Sequence, residues 1–274
     1  MNKLLWANFN RLLRDRAFCL GCAFLAGMSA YLPILHYIEQ GDRVNPNNYF
    51  FGFNIVIGVF AAVCCSLYLG TEYSEGTMRN KLIAGHTRKN IYLANLIICT
   101  AASLLAVVIY LAAESIVGIP LNGNVRMGPG ELLVRFLVSA LMILSFSSIF
   151  TLISMLNQSK AAGAVLNILL FLALLALAFS INARLEEPEF IQNYYMLNEL
   201  GDVTQVEPMP NPRYLQGAAR EAYEFVYDFL PTGQGIQMCT KVFISWIRMA
   251  CCNVGITAGT TALGVYLFGK KDIR

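Results

Sequence analysis

Long apolar runs alternate with short polar breaks along this chain. Phe18–Ile38 and Phe50–Gly70 each cover 21 residues without a formal charge, the first interrupted only by His36. Ile91–Ala113 covers 23, while Phe136–Leu156, Ala161–Ile181 and Met249–Gly269 cover 21 each. At 1.5 Å of rise per residue, about 20 apolar residues carry an α-helix across about 30 Å of hydrocarbon. No run alternates with period two, which argues against a β-barrel. The pattern predicts an all-α membrane protein with six transmembrane helices. Their places are about residues 18–38, 50–70, 91–113, 136–156, 161–181 and 245–269, and they form a single transmembrane domain over 1–274.

Two shorter patterns have helical period but only one apolar side. Leu5, Phe9, Leu12 and Leu13 oppose Asn8, Arg11, Arg14 and Asp15, which predicts an N-terminal interfacial amphipathic helix with its arginines near anionic lipid. The same arginines serve equally well as plain topology signals. The run that follows is longer than a signal-peptide core and precedes no small-x-small cleavage site, so it is expected to be a retained span, bent near Pro33. Residues 182–241 begin acidic and proline-rich (Glu186, Glu187, Glu189; Pro188, Pro208, Pro210, Pro212). They continue with Leu215, Ala218, Ala222, Phe225, Val226 and Phe229 at helical spacing, beside Tyr214, Tyr223 and Tyr227. An external amphipathic helix ending before Pro231 and Gly233 is expected, followed by a short re-entrant or interfacial element. A substrate-contacting lid and a passive linker both fit this loop.

Composition agrees with the periodicity. Only 14% of the 274 residues are charged, against about 25% in soluble domains. The net charge of +3 is too small to suggest nucleic acid, but its distribution is informative. The N-terminal arm, the 71–90 connection, the link at Lys160 and the C-terminal tail together hold twelve basic and four acidic residues; the rest of the chain holds eight basic and thirteen acidic. The positive-inside rule therefore places both termini and the 71–90 connection in the cytoplasm, with 39–48, 117–130 and 182–241 outside.

Chemistry-bearing residues are sparse. Seven of the eight cysteines fall within or at the edge of spans and Cys239 just before the last, where cysteine behaves as a small hydrophobe. Cys19 and Cys22 lack a second pair at zinc spacing. There is no H-E-x-x-H, no G-x-S-x-G and no G-x-x-x-x-G-K-[ST] phosphate loop. Glu114, Glu131, Arg135 and Arg248 lie toward the outer helix ends and are expected to snorkel; the midplane holds no charge, which disfavours an ion-coupled carrier. Asn54, Asn95, Asn167 and Asn253 read as helix–helix glue. Gly255 and Gly259 read as a close-packing pair, a weak signal by the same principle.

The residues from Thr71 to Asn90 stand apart. They carry Arg79, Lys81, Arg88, Lys89, Glu72 and Glu75 between two uncharged runs and are too many for a simple turn. Met78, Leu82 and Ile83 are expected on one side of a short helix, with Arg79, Asn80 and Lys81 facing away. Gly85 provides a left-handed stop and Thr87 a cap for the third span.

The sequence Glu72-Tyr73-Ser74-Glu75-Gly76-Thr77-Met78-Arg79-Asn80-Lys81-Leu82, following the second span, resembles the cytoplasmic signature of ABC transporter type-2 permeases. The ending Phe268-Gly269-Lys270-Lys271-Asp272-Ile273 is similar to the tail of many such permeases. The six-span layout and the N-terminal arm extend the resemblance over the whole chain. It implies the transmembrane subunit of an ATP-driven exporter of an amphipathic peptide, drug or lipid-like substrate, working in a bacterial plasma membrane. It also implies a non-catalytic chain that binds no cofactor, with ATP and Mg held by two cytoplasmic ABC ATPase subunits, and a second permease subunit in a homo- or heterodimer. The residues matched to ATPase contact are Glu72, Tyr73, Glu75, Gly76, Thr77, Met78, Arg79, Lys81 and Leu82. A non-transporting sensor or immunity subunit stands as the alternative, ahead of an ion-coupled carrier.

Overall fold

The structure, a computed structural model, describes residues 1–40, 50–123, 125–191, 195–197, 203–205, 209–239 and 245–271. The 39–48 connection, the Lys241 end of the outer loop, Pro208, and the Asp272-Ile273 end of the tail lie largely or wholly outside them. Helix α1 (Asn2–Leu13) precedes α2 (Arg16–Gln40) and α3 (Phe53–Ser74); the short α4 (Thr77–Ile83) follows, then α5 (Arg88–Asn122), α6 (Pro129–Leu156) and α7 (Lys160–Leu185). After two small strand pairs come α8 (Gly217–Phe229), α9 (Pro231–Cys239) and α10 (Trp246–Lys270). Among the described residues six helices, α2, α3, α5, α6, α7 and α10, are long and apolar enough to cross a membrane. Five of them contain the whole charge-free run that predicted them, and α3 contains all of its run but Phe50 to Gly52. The helices also run past those windows, most of all α5, which continues through Pro120 to Asn122.

Local signals explain the boundaries. Thr87 caps α5 by accepting from Asn90 N–H at 3.3 Å, and Ser159 caps α7 by accepting from Ala162 N–H at 3.3 Å. Pro129 sits at the start of α6, where a missing N–H costs nothing. Pro33 lies within α2, as expected.

Helix α3 is the most enclosed span; α10 and α7 are the least. The core around α3 is aromatic, with Phe146 and Phe150 stacked at 5.8 Å and Phe171 edge-on to Phe146. Phe171 also lies against Gly58, where a Cβ would come within 2.1 Å of the ring. Polar side chains tie helices together inside this apolar mass. Asn167 on α7 donates to Ser66 on α3 at 2.7 Å and to Ser154 on α6 at 2.9 Å. Asn253 on α10 accepts from Ser145 on α6 at 2.9 Å and donates to Gln234 on α9 at 2.6 Å. In hydrocarbon each such bond is worth about 1 kcal/mol or less, and each fixes a helix register.

The outer loop departs from expectation in two ways. Phe190–Ile191 (β1) pairs antiparallel with Met209–Pro210 (β4), and Tyr195–Leu197 (β2) with Val203–Gln205 (β3), forming strands that the acidic, proline-rich composition did not suggest. Pro231 opens α9 instead of only stopping α8, and Pro231 to Met238 are all buried. Helix α9 is the short element expected after α8, packed against α3, α6 and α7. Gly235 lets it approach so closely that a Cβ there would meet the Asn54 carbonyl oxygen at 2.7 Å. A Cβ at Gly255 or Gly259, in contrast, would meet nothing within 4 Å on another element among the described residues. Close approach on α10 occurs at Gly264, beneath the Tyr92 hydroxyl.

Candidate functional site

The 71–90 connection folds as a helix hung from one buried carboxylate. Helix α3 carries Glu72 on its last turn. Gly76 then reverses the chain with φ of 66°, in the left-handed region, and α4 begins at once. At the far end of α4, His86 N–H reaches the Lys81 carbonyl at 3.1 Å and Gly85 N–H the Leu82 carbonyl at 3.0 Å, a Schellman arrangement with Gly85 at φ of 86°. These two reversals hold seven residues across the ends of α3 and α5.

Glu72 is fully buried, at 0% exposure. One carboxylate oxygen lies 2.8 Å from the Arg11 guanidinium of α1 and also accepts from Lys81 Nζ of α4; the other accepts from Asn95 of α5 at 2.9 Å. Asn8 of α1 donates to Asn95 at 3.1 Å, and Tyr68 of α3 donates to the Asn8 carbonyl at 3.0 Å. The Arg11 guanidinium stacks 4.4 Å from the Tyr68 ring centre. One side chain thus joins four helices. Burial lowers the Lys81 pKa from the usual lysine value, against the opposing pull of Glu72. Removing one partner of such a pair leaves a charge uncompensated, at a cost of about 3–5 kcal/mol.

A second set of contacts secures the same end. Tyr73 donates its hydroxyl to the Met155 carbonyl at 2.6 Å, while Lys271 reaches that carbonyl at 2.9 Å and the Tyr73 hydroxyl at 3.2 Å. Arg88 donates to the Phe268 and Lys271 carbonyls, and Lys160 donates to Thr71 at 2.9 Å. The 71–90 connection therefore holds both the N-terminal helix and the end of α10.

The nine candidate residues divide by burial. Glu72, Met78 and Lys81 point inward; Tyr73, Gly76, Thr77 and Leu82 are half-buried; Glu75 and Arg79 are exposed. Two orientations expected from the sequence are reversed. Lys81 turns in to Glu72, and Ile83 turns out, 74% exposed. A helix of two turns is too short for periodicity to say which side faces the bundle; the deciding contact is an ion pair. Asn8, Arg11 and Asn95 belong to the assembly and were read only as interfacial or glue residues. Asn80 and Ile83 join Glu75 and Arg79 on the exposed side.

The opposite end of the bundle repeats the device. Asp228 on α8 is 3% exposed and accepts from Gln237 at 2.9 Å, from Ser245 and from Arg248. Gln234 links its backbone carbonyl to Asn253. A cavity of about 280 Å³ lies beside this cluster, with Glu186, Arg220, Glu224 and Tyr227 in its wall. Arg135 is likewise no snorkeler: it is 1% exposed and donates to the Met238 carbonyl at 2.7 Å. Glu114 is also interior, at 2% exposure. Arg135 is turned inward by its bond to α9, and Glu114 is enclosed on α5.

A family model described as ABC-2 family transporter protein matches residues 7–273. The chain belongs to the ABC-2 transporter family. It is a multi-pass membrane permease of that family, and the match takes in α2 to α10 and most of α1. A search of curated proteins finds no match to the chain. In this ABC-2 permease the Glu72 assembly ties the connection between α3 and α5 to the N-terminal helix.

Proposed function

We propose that this permease couples ATP hydrolysis by two separate cytoplasmic ATPase subunits to export across a bacterial plasma membrane, through α4. The observation that carries the reading is the Glu72 assembly. A short helix with an exposed face of Glu75, Arg79, Asn80 and Ile83 is tied by one buried carboxylate to α1, α3 and α5. A push on that face reaches two spans and the interfacial helix together. A nucleotide-driven movement shifts the spans only if the partner contacts α4 differently in its two states. ATP and Mg belong to the partner, since the chain has no phosphate loop. The charge asymmetry supports placing α4 and both termini in the cytoplasm. A second permease subunit, identical or homologous, completes the pathway, and the apolar spans suit an amphipathic peptide, drug or lipid-like substrate.

Two variants separate docking from transmission. Ile83→Asp or Arg79→Glu is expected to abolish copurification with the ATPase, because it alters the exposed face. Glu72→Gln is expected to keep the complex but lower substrate-stimulated ATP turnover by about tenfold or more, the equivalent of about 1.4 kcal/mol. Unchanged complex formation in the first pair together with unchanged turnover in the second defeats the reading.

A further inference from the structure

Between α1 and α4 lies an open cavity of about 370 Å³ lined by Lys3, Asn8, Arg11, Asn80, Lys81 and His86. Its charge balance is unusual for a half-enclosed site. Three formal cations converge there, and the single carboxylate behind them, Glu72, is already shared by Arg11 and Lys81. Lys3 and the His86 ring make no side-chain hydrogen bond or ion pair among the described residues. Cationic donors from two separate helices face one space whose wall contains no carboxylate.

On its other flank, α1 borders a second groove of about 360 Å³ that is almost wholly apolar, formed by Leu5, Trp6, Phe9, Ile97, Ile98 and Ala101. Trp6 is 69% exposed at its edge. A cationic recess and an apolar groove on the two sides of one amphipathic helix mark the headgroup layer of a bilayer.

We propose that the recess between α1 and α4 is a binding site for the phosphate of an anionic membrane lipid. The phosphate oxygens accept from Lys3, Arg11 and His86, with Asn80 at the rim. Charge-assisted bonds of this kind are short and strong. The lipid also supplies the negative charge that the assembly lacks: burial lowers the Lys81 pKa and the nearby Arg11 charge adds to the effect, so an anion in the recess favours the charged lysine. Because α4 forms one wall, an occupied site fixes α1 against the helix that meets the ATPase. A partner carboxylate is the less suitable occupant, since of the exposed face only Asn80 reaches the recess and Glu75, Arg79 and Ile83 do not. The location of the site on the cytoplasmic leaflet rests on the proposed function; its phosphate chemistry does not.

The test uses the full-length permease without any ATPase, so that it can fail independently of the coupling reading. Native mass spectrometry from nanodiscs counts retained phosphatidylglycerol against phosphatidylcholine, for the wild type and for Lys3→Gln/His86→Gln, which spares the Glu72 contacts. Thermal shifts are recorded alongside with dispersed phosphatidylglycerol and with inorganic phosphate. The expected result is preferential retention of phosphatidylglycerol by the wild type, weakened about tenfold in the double variant, and a stabilisation that inorganic phosphate does not reproduce. Equal retention of both lipids, or no difference between wild type and variant, overturns the proposal. Stabilisation by inorganic phosphate at equal potency overturns the lipid as the source.

Discussion

Lys271 lies over the face of Tyr73, its ammonium 4.5 Å from the ring centre, and both side chains bond the Met155 carbonyl. The end of α10, the last turn of α3 and the end of α6 therefore meet at one point. Tyr73→Phe keeps the ring and the cation–π contact but removes the hydroxyl. The expected loss is about 1 kcal/mol, the usual net value of one hydrogen bond, read as a lower melting temperature in detergent. A variant as stable as the wild type would show that the hydroxyl is dispensable.

Titration of Lys271 gives a pH dependence of definite sign. Burial pushes its pKa from 10.5 down to about 8, so the folded chain releases the proton first. From pH 8 to about 10.5 the unfolded chain holds more protons, and stability rises with pH through that window. Below pH 8 both states are charged and the contribution is flat. The melting temperature of the wild type is expected to climb relative to Lys271→Met between pH 8 and 10; a relative fall would reverse the assignment.

At the far end of the bundle, Asp228 and Arg248 form an unequal pair. The aspartate side chain is 4% exposed and the arginine 40%. Asp228→Ala strips the acceptor from Gln237, Ser245 and Arg248 at once, and is expected to cost about 3–5 kcal/mol. Arg248→Gln leaves the buried carboxylate two neutral donors but no countercharge, at a cost of about 1–3 kcal/mol. Chemical denaturation of both variants measures the difference. Equal losses would mean that the ion pair, not the buried acceptor, dominates.

The division between what sequence shows and what it hides follows from these pairs. Each span was legible because 21 or more consecutive uncharged residues admit few other readings. Caps at Thr87 and Gly85 were legible because they depend only on neighbours along the chain. The environment of Glu72 was not, since its partners Arg11, Lys81 and Asn95 come from three other helices. The strand pairs between Phe190 and Pro210 were missed for a related reason. Segments of two or three residues carry no periodicity, and their partners are set by the closure of the loop.

Gly235 and Gly255 offer a paired test of helix approach. A methyl group at position 235 would lie 2.7 Å from the Asn54 carbonyl oxygen, a backbone atom that cannot swing aside, whereas position 255 has open space. Gly235→Ala is expected to destabilise by about 1–3 kcal/mol through overpacking, and Gly255→Ala to stay within about 0.5 kcal/mol. Melting temperatures of the isolated permease suffice. A large loss at Gly255 would place a subunit contact on that face of α10.

Glu114 is 2% exposed, and neither carboxylate oxygen has a hydrogen-bond partner among the described residues. A buried polar group without a partner costs about 1–3 kcal/mol, and more if charged, so this side chain weakens the fold it sits in. Glu114→Met fills a similar volume without the polar atoms and is expected to raise the melting temperature, while Glu114→Gln, still unpaired, raises it less. Turnover of the permease–ATPase complex then tells what the carboxylate is for. A stabilised variant with full activity marks Glu114 as tolerated; a stabilised variant that no longer couples marks a carboxylate kept at the expense of stability because the transport cycle uses it. A fall in melting temperature for Glu114→Met would show that the carboxylate is satisfied after all, by a group that approaches it only in the assembled transporter or the membrane.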